Sequence, residues 1–393
     1  MKIVYVYPQF ALRAGTERIL IDKMNHLAEQ DGYEVVMLTY EQGSHPLAFD
    51  LSPRVKHVDL DIRFYPLFSH SLPVRFYHWI RLNRQLQKSY DTFMAEFKPD
   101  IVVCTTYYAN ILSMIVACPT PAALVLESHI DKRFILSNAP ENQQTKLRWL
   151  HNIYHMTVIQ RKVRHFDILV ALSQTDAREW SRYIRKTKII TNVVHLNDTN
   201  QYSSQDNKRC IFVGRYVEQK GLPDMFKAWQ IVHQKHPDWH LDLYGDGYLR
   251  EQLVAEADRL QANIHVHPSD SHIFERYMES SVFLLTSLYE PFGLVMPEAM
   301  SCGLPVVAFD CPSGPASIIT DGVDGFLVLK RDMRLFAERL CTLIEDEDLR
   351  QRMSRAAIQS SQRFSANHIM PQWESLFYEL YNQAAAQKLK NQN

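Results

Sequence analysis

Short runs rich in Val, Ile, Leu, Phe and Tyr alternate along the chain with longer stretches in which apolar residues recur every three or four positions. That alternation predicts strands joined by helices in parallel sheets. In the first half the predicted strands are Ile3–Tyr7, Glu34–Thr39, Val55–Val58, Ile101–Cys104, Ala123–Glu127, Ile168–Ala171 and Lys188–Ile190. The second half repeats the plan over Cys210–Val213, His240–Tyr244, Ile264–Val266, Val282–Leu285, Pro305–Ala308 and Phe326–Val328. Between the halves, residues 197–207 are polar and without periodicity, as an interdomain linker would be. The expected architecture is α/β: one open parallel-sheet domain over 1–196, a second over 208–365, and a helical segment over 366–393. Two such sheets joined in this way are expected to face a central cleft across their carboxyl edges.

Composition narrows the function. With 393 residues, 46% of them hydrophobic, the chain can bury two cores. A net charge of −1 excludes nucleic acid as the main partner, because no basic excess exists to displace counterions. Six scattered cysteines without a Cys-x-x-Cys pair predict buried, reduced thiols rather than a disulfide framework or a zinc site. The N-terminus opens directly as a strand, and no apolar run reaches the ~20 residues that a membrane span needs. The expected location is the cytoplasm.

Two stretches break the charge balance. Ile62–Tyr90 carries Arg63, Arg75, Arg81, Arg84 and Lys88 with no acid, interleaved with Phe64, Tyr65, Phe68, Phe76, Tyr77 and Trp79. Thr145–Phe166 carries Lys146, Arg148, Arg161, Lys162 and Arg164, again with no acid, alongside Trp149 and Tyr154. Basic residues among aromatics suit the surface of an anionic membrane, which would make the protein peripheral at its inner face. The alternative is a pair of packing helices with solvated cationic faces.

The chemistry concentrates in Glu290-Pro-Phe-Gly-Leu-Val-Met-Pro-Glu298, where two carboxylates flank a turn and a helix start. The first N–H groups of a helix lack internal partners, so Gly293, Leu294 and Val295 can bind an anion. Pro297 fits the first turn, where a missing N–H costs nothing. Glu298 can accept from a vicinal diol such as a ribose, and Glu290 from sugar hydroxyls beyond the phosphates. Phosphates between two carboxylates need cations, and Arg215 and Lys220 in Gly214-Arg-Tyr-Val-Glu-Gln-Lys-Gly221 offer them. The plainer alternative makes both glutamates caps and both cations surface charges.

Taken in order, Gly214-Arg215 with Lys220-Gly221, Gly245-Asp246-Gly247, the Glu290–Glu298 segment, Cys302–Ala308, Ser313-Gly314-Pro315 and Asp321–Gly325 resemble the C-terminal half of the family 4 retaining glycosyltransferases. The resemblance implies the GT-B fold, two Rossmann-like domains facing a cleft, with a last helix that crosses back to the first domain. A plain C-terminal core helix is the alternative for that segment. The resemblance further implies that Arg215 and Lys220 hold a donor diphosphate, Glu298 its ribose, and Glu290 with the amides after Phe292 the transferred sugar. It implies no cofactor and no metal, the partners being a nucleotide-sugar donor and a glycan or lipid-linked acceptor in surface polysaccharide assembly. Uridine is the expected base, although His267-Pro268-Ser269 stands where the family often has a glycine near the base.

In the first half, Ala14-Gly15-Thr16-Glu17-Arg18 resembles the family's glycine-rich loop with one glycine replaced, and leads into a helix expected over Ile19–Glu29. Gly15 would let backbone approach the donor or acceptor. His129, after the strand ending at Glu127, matches by position the family histidine near the donor sugar; a purely structural histidine is the alternative. Glu127 and Asp131 are carboxylates that can orient the imidazole or meet the acceptor. Ser173 and Thr175 read as helix caps. His233, His236, His240, His265 and His267 do not share a helical face with a carboxylate, which argues against a metal site. Two other functions stay open: a sugar-nucleotide epimerase of the same architecture, and a non-catalytic nucleotide-sugar-binding protein.

Overall fold

The computed structural model describes residues 1–64, 71–129 and 146–392, with the side chains of 72, 146–152 and 387–392 outside the description. Two compact units divide the chain: Met1–Val193 with Met370–Asn393, and Val194–Ile369.

The first unit is built on seven strands: β1 (Lys2–Val6), β2 (Glu34–Thr39), β3 (Lys56–Asp59), β4 (Ile101–Thr105), β5 (Ala123–Glu127), β6 (Ile168–Ala171) and β7 (Thr187–Ile189). They pair in parallel in the order β3-β2-β1-β4-β5-β6-β7. Helices connect them: α1 (Gly15–Glu29), α2 (Leu72–Phe97), α3 (Ala109–Ala117), α4 (Lys146–Val163) and α5 (Gln174–Trp180). The central strands read as unbroken apolar runs because both faces are covered; Val4, Val36, Val102 and Leu126 are fully buried. Each such side chain contributes about 1.5–3 kcal/mol of burial. The helix expected from Ile19 starts at Gly15 instead, where the acidic Glu17 lies in the first turn, at the positive end of the helix dipole. Ser173 caps α5 by accepting from the Asp176 N–H, whereas Thr175 is a residue of the helix with an exposed side chain.

The second unit has six strands: β8 (Arg209–Val213), β9 (His240–Tyr244), β10 (Ile264–His267), β11 (Val282–Leu285), β12 (Val306–Phe309) and β13 (Gly325–Val328). All pairings are parallel, in the order β10-β9-β8-β11-β12-β13. Its helices are α6 (Leu222–Lys235), α7 (Arg250–Leu260), α8 (Ile273–Met278), α9 (Val295–Ser301), α10 (Pro315–Ile318), α11 (Met333–Glu345) and α12 (Glu347–Ser361). Asp332 and Asp346 cap α11 and α12 through their carboxylates. Residues 197–207 belong to this unit. Asn197 N donates to Ser301 Oγ (3.0 Å), Gln205 Nε2 to the Gly303 carbonyl (2.8 Å), and the buried Arg350 guanidinium donates to the Gln205 carbonyl. Polar residues there find partners on α9 and α12, which periodicity alone does not reveal. The last helix, α13 (Ala366–Gln392), supplies the first unit with Trp373, Leu376 and Phe377, all buried.

Candidate active site

In the second sheet the chain leaves β8 toward β9 and β10, then comes back beside β8 through β11 and proceeds to β12 and β13. Open α/β sheets bind ligands outside the carboxyl ends of their strands at such a reversal. The loops that leave these two ends, residues 214–221 and 286–294, are bonded to each other. Leu288 N donates to the Gln219 carbonyl (2.7 Å), Gln219 Nε2 to the Tyr289 carbonyl (3.1 Å), and Thr286 Oγ1 reaches the carbonyls of Lys220 and Gly221 (3.0 and 3.1 Å). Gly221 has φ +61°, and a Cβ there would stand 2.3 Å from the Thr286 carbonyl oxygen, so a side chain would push the loops apart.

This contact buries a charge pair. Lys220 Nζ donates to Glu290 Oε2 at 2.5 Å, and the same oxygen accepts from Ser287 Oγ at 3.2 Å. Lys220 and Glu290 are only 8% and 7% exposed, so each charge depends on the other. Gly293, at φ +90°, turns the chain into α9, and a Cβ there would lie 2.8 Å from Glu290 Cγ. Glu298 follows on α9 and is buried. Arg215 is exposed, with Nη2 on Gln219 Oε1 at 3.4 Å, so Gln219 links it to the same loop. The Phe292 ring is turned inward, edge-on to Phe364 at 5.5 Å, and this segment therefore presents backbone rather than an aromatic face. Gln219, Ser287 and Thr286, which hold the pair in place, were not among the sequence candidates; small polar residues after strands carry no distinctive signal.

The first unit has its own cluster at the ends of β1 and β5. Glu127, buried at the end of β5, accepts on Oε2 from both Lys23 Nζ and His129 Nε2, the latter at 2.7 Å. Burial pushes the Glu127 carboxyl up, but the Lys23 charge and the His129 and Lys23 hydrogen bonds outweigh it and leave it below its ordinary value. Tyr7 donates to Glu17 Oε1 at 3.2 Å, and burial raises the Glu17 carboxyl above its ordinary value. Gly15 is exposed as the first residue of α1. Asp131 lies outside the described residues.

Against known protein families, residues 13–198 match Glycosyltransferase Family 4 and residues 197–360 match Glycosyl transferases group 1. The chain is a family 4 glycosyltransferase. An uncharacterized glycosyltransferase of Haemophilus influenzae is 25% identical to it over 381 residues, spanning 95% of this chain and 99% of that one. Among solved structures, the sucrose-phosphate synthase of Thermosynechococcus elongatus superposes with a TM-score of 0.77 at 18% identity, over 97% of this chain and 99% of the other. Anabaena HepE, solved in complex with UDP and glucose, gives a TM-score of 0.69 at 21% identity, over 96% and 99%. Both share the GT-B fold, and the two parallel sheets of the glycosyltransferase are its two halves.

His236, His240, His265 and His267 in the second unit of this glycosyltransferase have partners of their own. His267 Nε2 pairs with Asp242 (3.0 Å) and its ring stacks on Tyr244 at 4.6 Å, while His240 meets His265 at 3.1 Å. His236 pairs with Glu345 at 2.9 Å, and Cys341 Sγ lies within 4.8 Å of both; the imidazole and the carboxylate already satisfy each other there. All six cysteines are free and buried. Among the described residues no helix is long and apolar enough to cross a membrane. α2 nevertheless exposes Phe76, Tyr77 and Trp79 together with Arg81, Arg84 and Lys88, and α4 exposes Tyr154, Arg161 and Arg164. Tyr65 and Phe68 lie outside the described residues.

Proposed function

We propose that this glycosyltransferase moves a sugar from a UDP-sugar to a glycan or lipid-linked glycan acceptor in surface polysaccharide assembly. The observation that carries the reading is the buried Lys220–Glu290 pair at the strand reversal of the second sheet, a cation and a carboxylate held together where such sheets take ligands. Without donor the two neutralise each other. With donor, Lys220 and Arg215 turn their charge to the diphosphate, Glu290 accepts from hydroxyls of the transferred sugar, and Glu298 accepts from the ribose diol. The amides of Gly293, Leu294 and Val295 sit at the positive end of α9, where negative charge on the leaving oxygen is stabilised. His129 and Gly15 serve on the first unit's side. Attack on the leaving-group face, with the departing phosphate taking the acceptor proton, accounts for a site without a dedicated general base. The UDP and glucose named in the HepE complex support the choice of donor.

The exposed aromatic and basic face of α2 is assigned to an anionic membrane surface, where lipid-linked acceptors reside. Each cation near such a surface contributes about 1 kcal/mol.

Incubation of the full chain with a UDP-sugar and no acceptor tests the reading. Slow release of UDP supports a transferase. An altered sugar still attached to UDP identifies an epimerase instead, and binding without turnover a non-catalytic protein.

A further inference from the structure

One buried charge in the first unit stands outside the residues assigned to the donor. Lys23, on α1, is 1% exposed, and its ammonium meets Glu127 Oε2 while lying 4.0 Å above the centroid of the Trp373 ring from α13. Lysines are almost never buried this deeply unless paired, and the pairing here is specific. One carboxylate oxygen receives two donors, Lys23 Nζ and His129 Nε2. A carboxylate kept ionised by an adjacent ammonium accepts hydrogen bonds and cannot donate them, so the imidazole nitrogen facing it must carry the proton. In neutral His129 the lone pair is thereby left on Nδ1. That atom is buried and has no hydrogen-bond partner among the described residues. The nearby Glu17 carboxylate is buried too, with Oε2 unpartnered.

An orphaned acceptor among carboxylates selects the chemistry of what can fill it. Phosphate oxygens are repelled, and a group that donates, such as a sugar hydroxyl, is accepted. We propose that Lys23 and Glu127 are positioning residues that hold His129 in the Nε2–H tautomer, so that Nδ1 accepts a hydrogen bond from a hydroxyl of the sugar undergoing transfer. The choice of tautomer rests on geometry within the first unit alone; the identity of the hydroxyl rests on the glycosyltransfer reading above. Lys23 acts at one remove, as the counter-charge that keeps Glu127 an acceptor, and Trp373 closes the far side of the ammonium.

The test uses the full chain labelled with 15N-histidine, at pH 8 and without substrate, with His129 assigned as the signal missing from His129→Gln. Long-range 1H–15N spectra distinguish the two neutral tautomers directly. The expected result is Nε2 protonated and Nδ1 bare in the wild type, shifting to a mixture or to Nδ1–H in Lys23→Met/Glu127→Leu, which removes the acceptor and its counter-charge together, with Lys23→Arg keeping the wild-type pattern. A wild-type Nδ1–H tautomer, or a pattern unchanged in the folded double variant, overturns the proposal. Glu127→Gln, whose amide oxygen still accepts from Nε2–H, is expected to keep the wild-type tautomer, and Nδ1–H there also overturns the proposal. With a UDP-sugar and acceptor, the double variant is expected to lower kcat on the order of tenfold, the equivalent of one lost hydrogen bond, while UDP affinity holds. The stated tautomer in the wild type with an undiminished kcat in the double variant refutes the hydroxyl contact. Absence of any transfer by the wild type refutes the glycosyltransfer reading and leaves the tautomer assignment to the spectrum.

Discussion

Replacing Lys220 by Met keeps the aliphatic stem and removes the ammonium, leaving Glu290 buried at 7% exposure with the neutral Ser287 hydroxyl as its remaining side-chain donor among the described residues. Breaking a buried pair by deleting one partner typically costs about 3–5 kcal/mol, because the remaining charge is uncompensated. Both side chains keep about a tenth of their surface in water, so the low end of that range, about 3 kcal/mol, is the expected loss. For a unit of this size that amounts to a fall in Tm of roughly 6–12 °C. The variant Lys220→Met/Glu290→Gln removes the orphaned charge as well and should recover most of that loss. Activity should behave differently. A cation aimed at a developing negative charge is worth about 3–4 kcal/mol in the transition state, or roughly 10²–10³ in kcat, and neutralising Glu290 returns none of it. Differential scanning fluorimetry together with a UDP-release assay on the wild type, both single variants and the double variant separates the two effects. If the double variant regains turnover along with stability, the pair is merely structural and the reasoning fails.

Glu298→Gln should weaken UDP binding on the order of tenfold by calorimetry, since hydrogen bonds to a charged acceptor are stronger than those to an amide; unchanged affinity would remove Glu298 from the ribose. The six buried cysteines should resist a thiol-exchange reagent in the native protein and all react in guanidinium. Burial above all pushes the thiols of Cys302 and Cys311 up to about 12, so rapid native labelling of either would contradict the packing. Acid stability carries a sign. The Glu127 carboxyl lies below its ordinary value when folded, so its stabilisation is fully present above the unfolded pKa of about 4.3 and is lost as pH falls through the folded value. Glu17, raised by burial, works the other way and costs stability once pH climbs past its ordinary value. Glu127→Gln should therefore show a shallower decline in Tm below about pH 4.3 than the wild type, and parallel curves would discount the Lys23–Glu127–His129 network.

Much of the fold was legible because parallel strands covered on both faces must be apolar throughout, and the thirteen predicted runs each overlap an observed strand, with ends that differ by no more than one residue. The two loops that bond to each other, residues 214–221 and 286–294, were legible for a similar reason. Glycines at Gly221 and Gly293 sit where backbone must turn or approach closely, and the charged residues lie at fixed offsets from them. The start of α1 was misplaced because Gly15 reads as a loop residue, and nothing in the local pattern announces that Glu17 will be buried beneath Tyr7. Lys23 was missed because lysine in an amphipathic helix reads as surface. Its spacing held the clue, since Leu20, Lys23, Met24 and Leu27 fall on one helical face and the other three are buried apolar residues. The partner that makes its burial tolerable comes from β5, over a hundred positions away, where no local pattern could show it.

The central claim is that Lys220 and Glu290 belong to a site for a nucleotide-diphosphate sugar. Calorimetric titration of the full chain with UDP tests it most directly, run in parallel on Lys220→Met. Saturable UDP binding by the wild type, at least tenfold weaker in the variant, is the predicted result. No measurable affinity for UDP or GDP, or equal affinity in the two proteins, would contradict it.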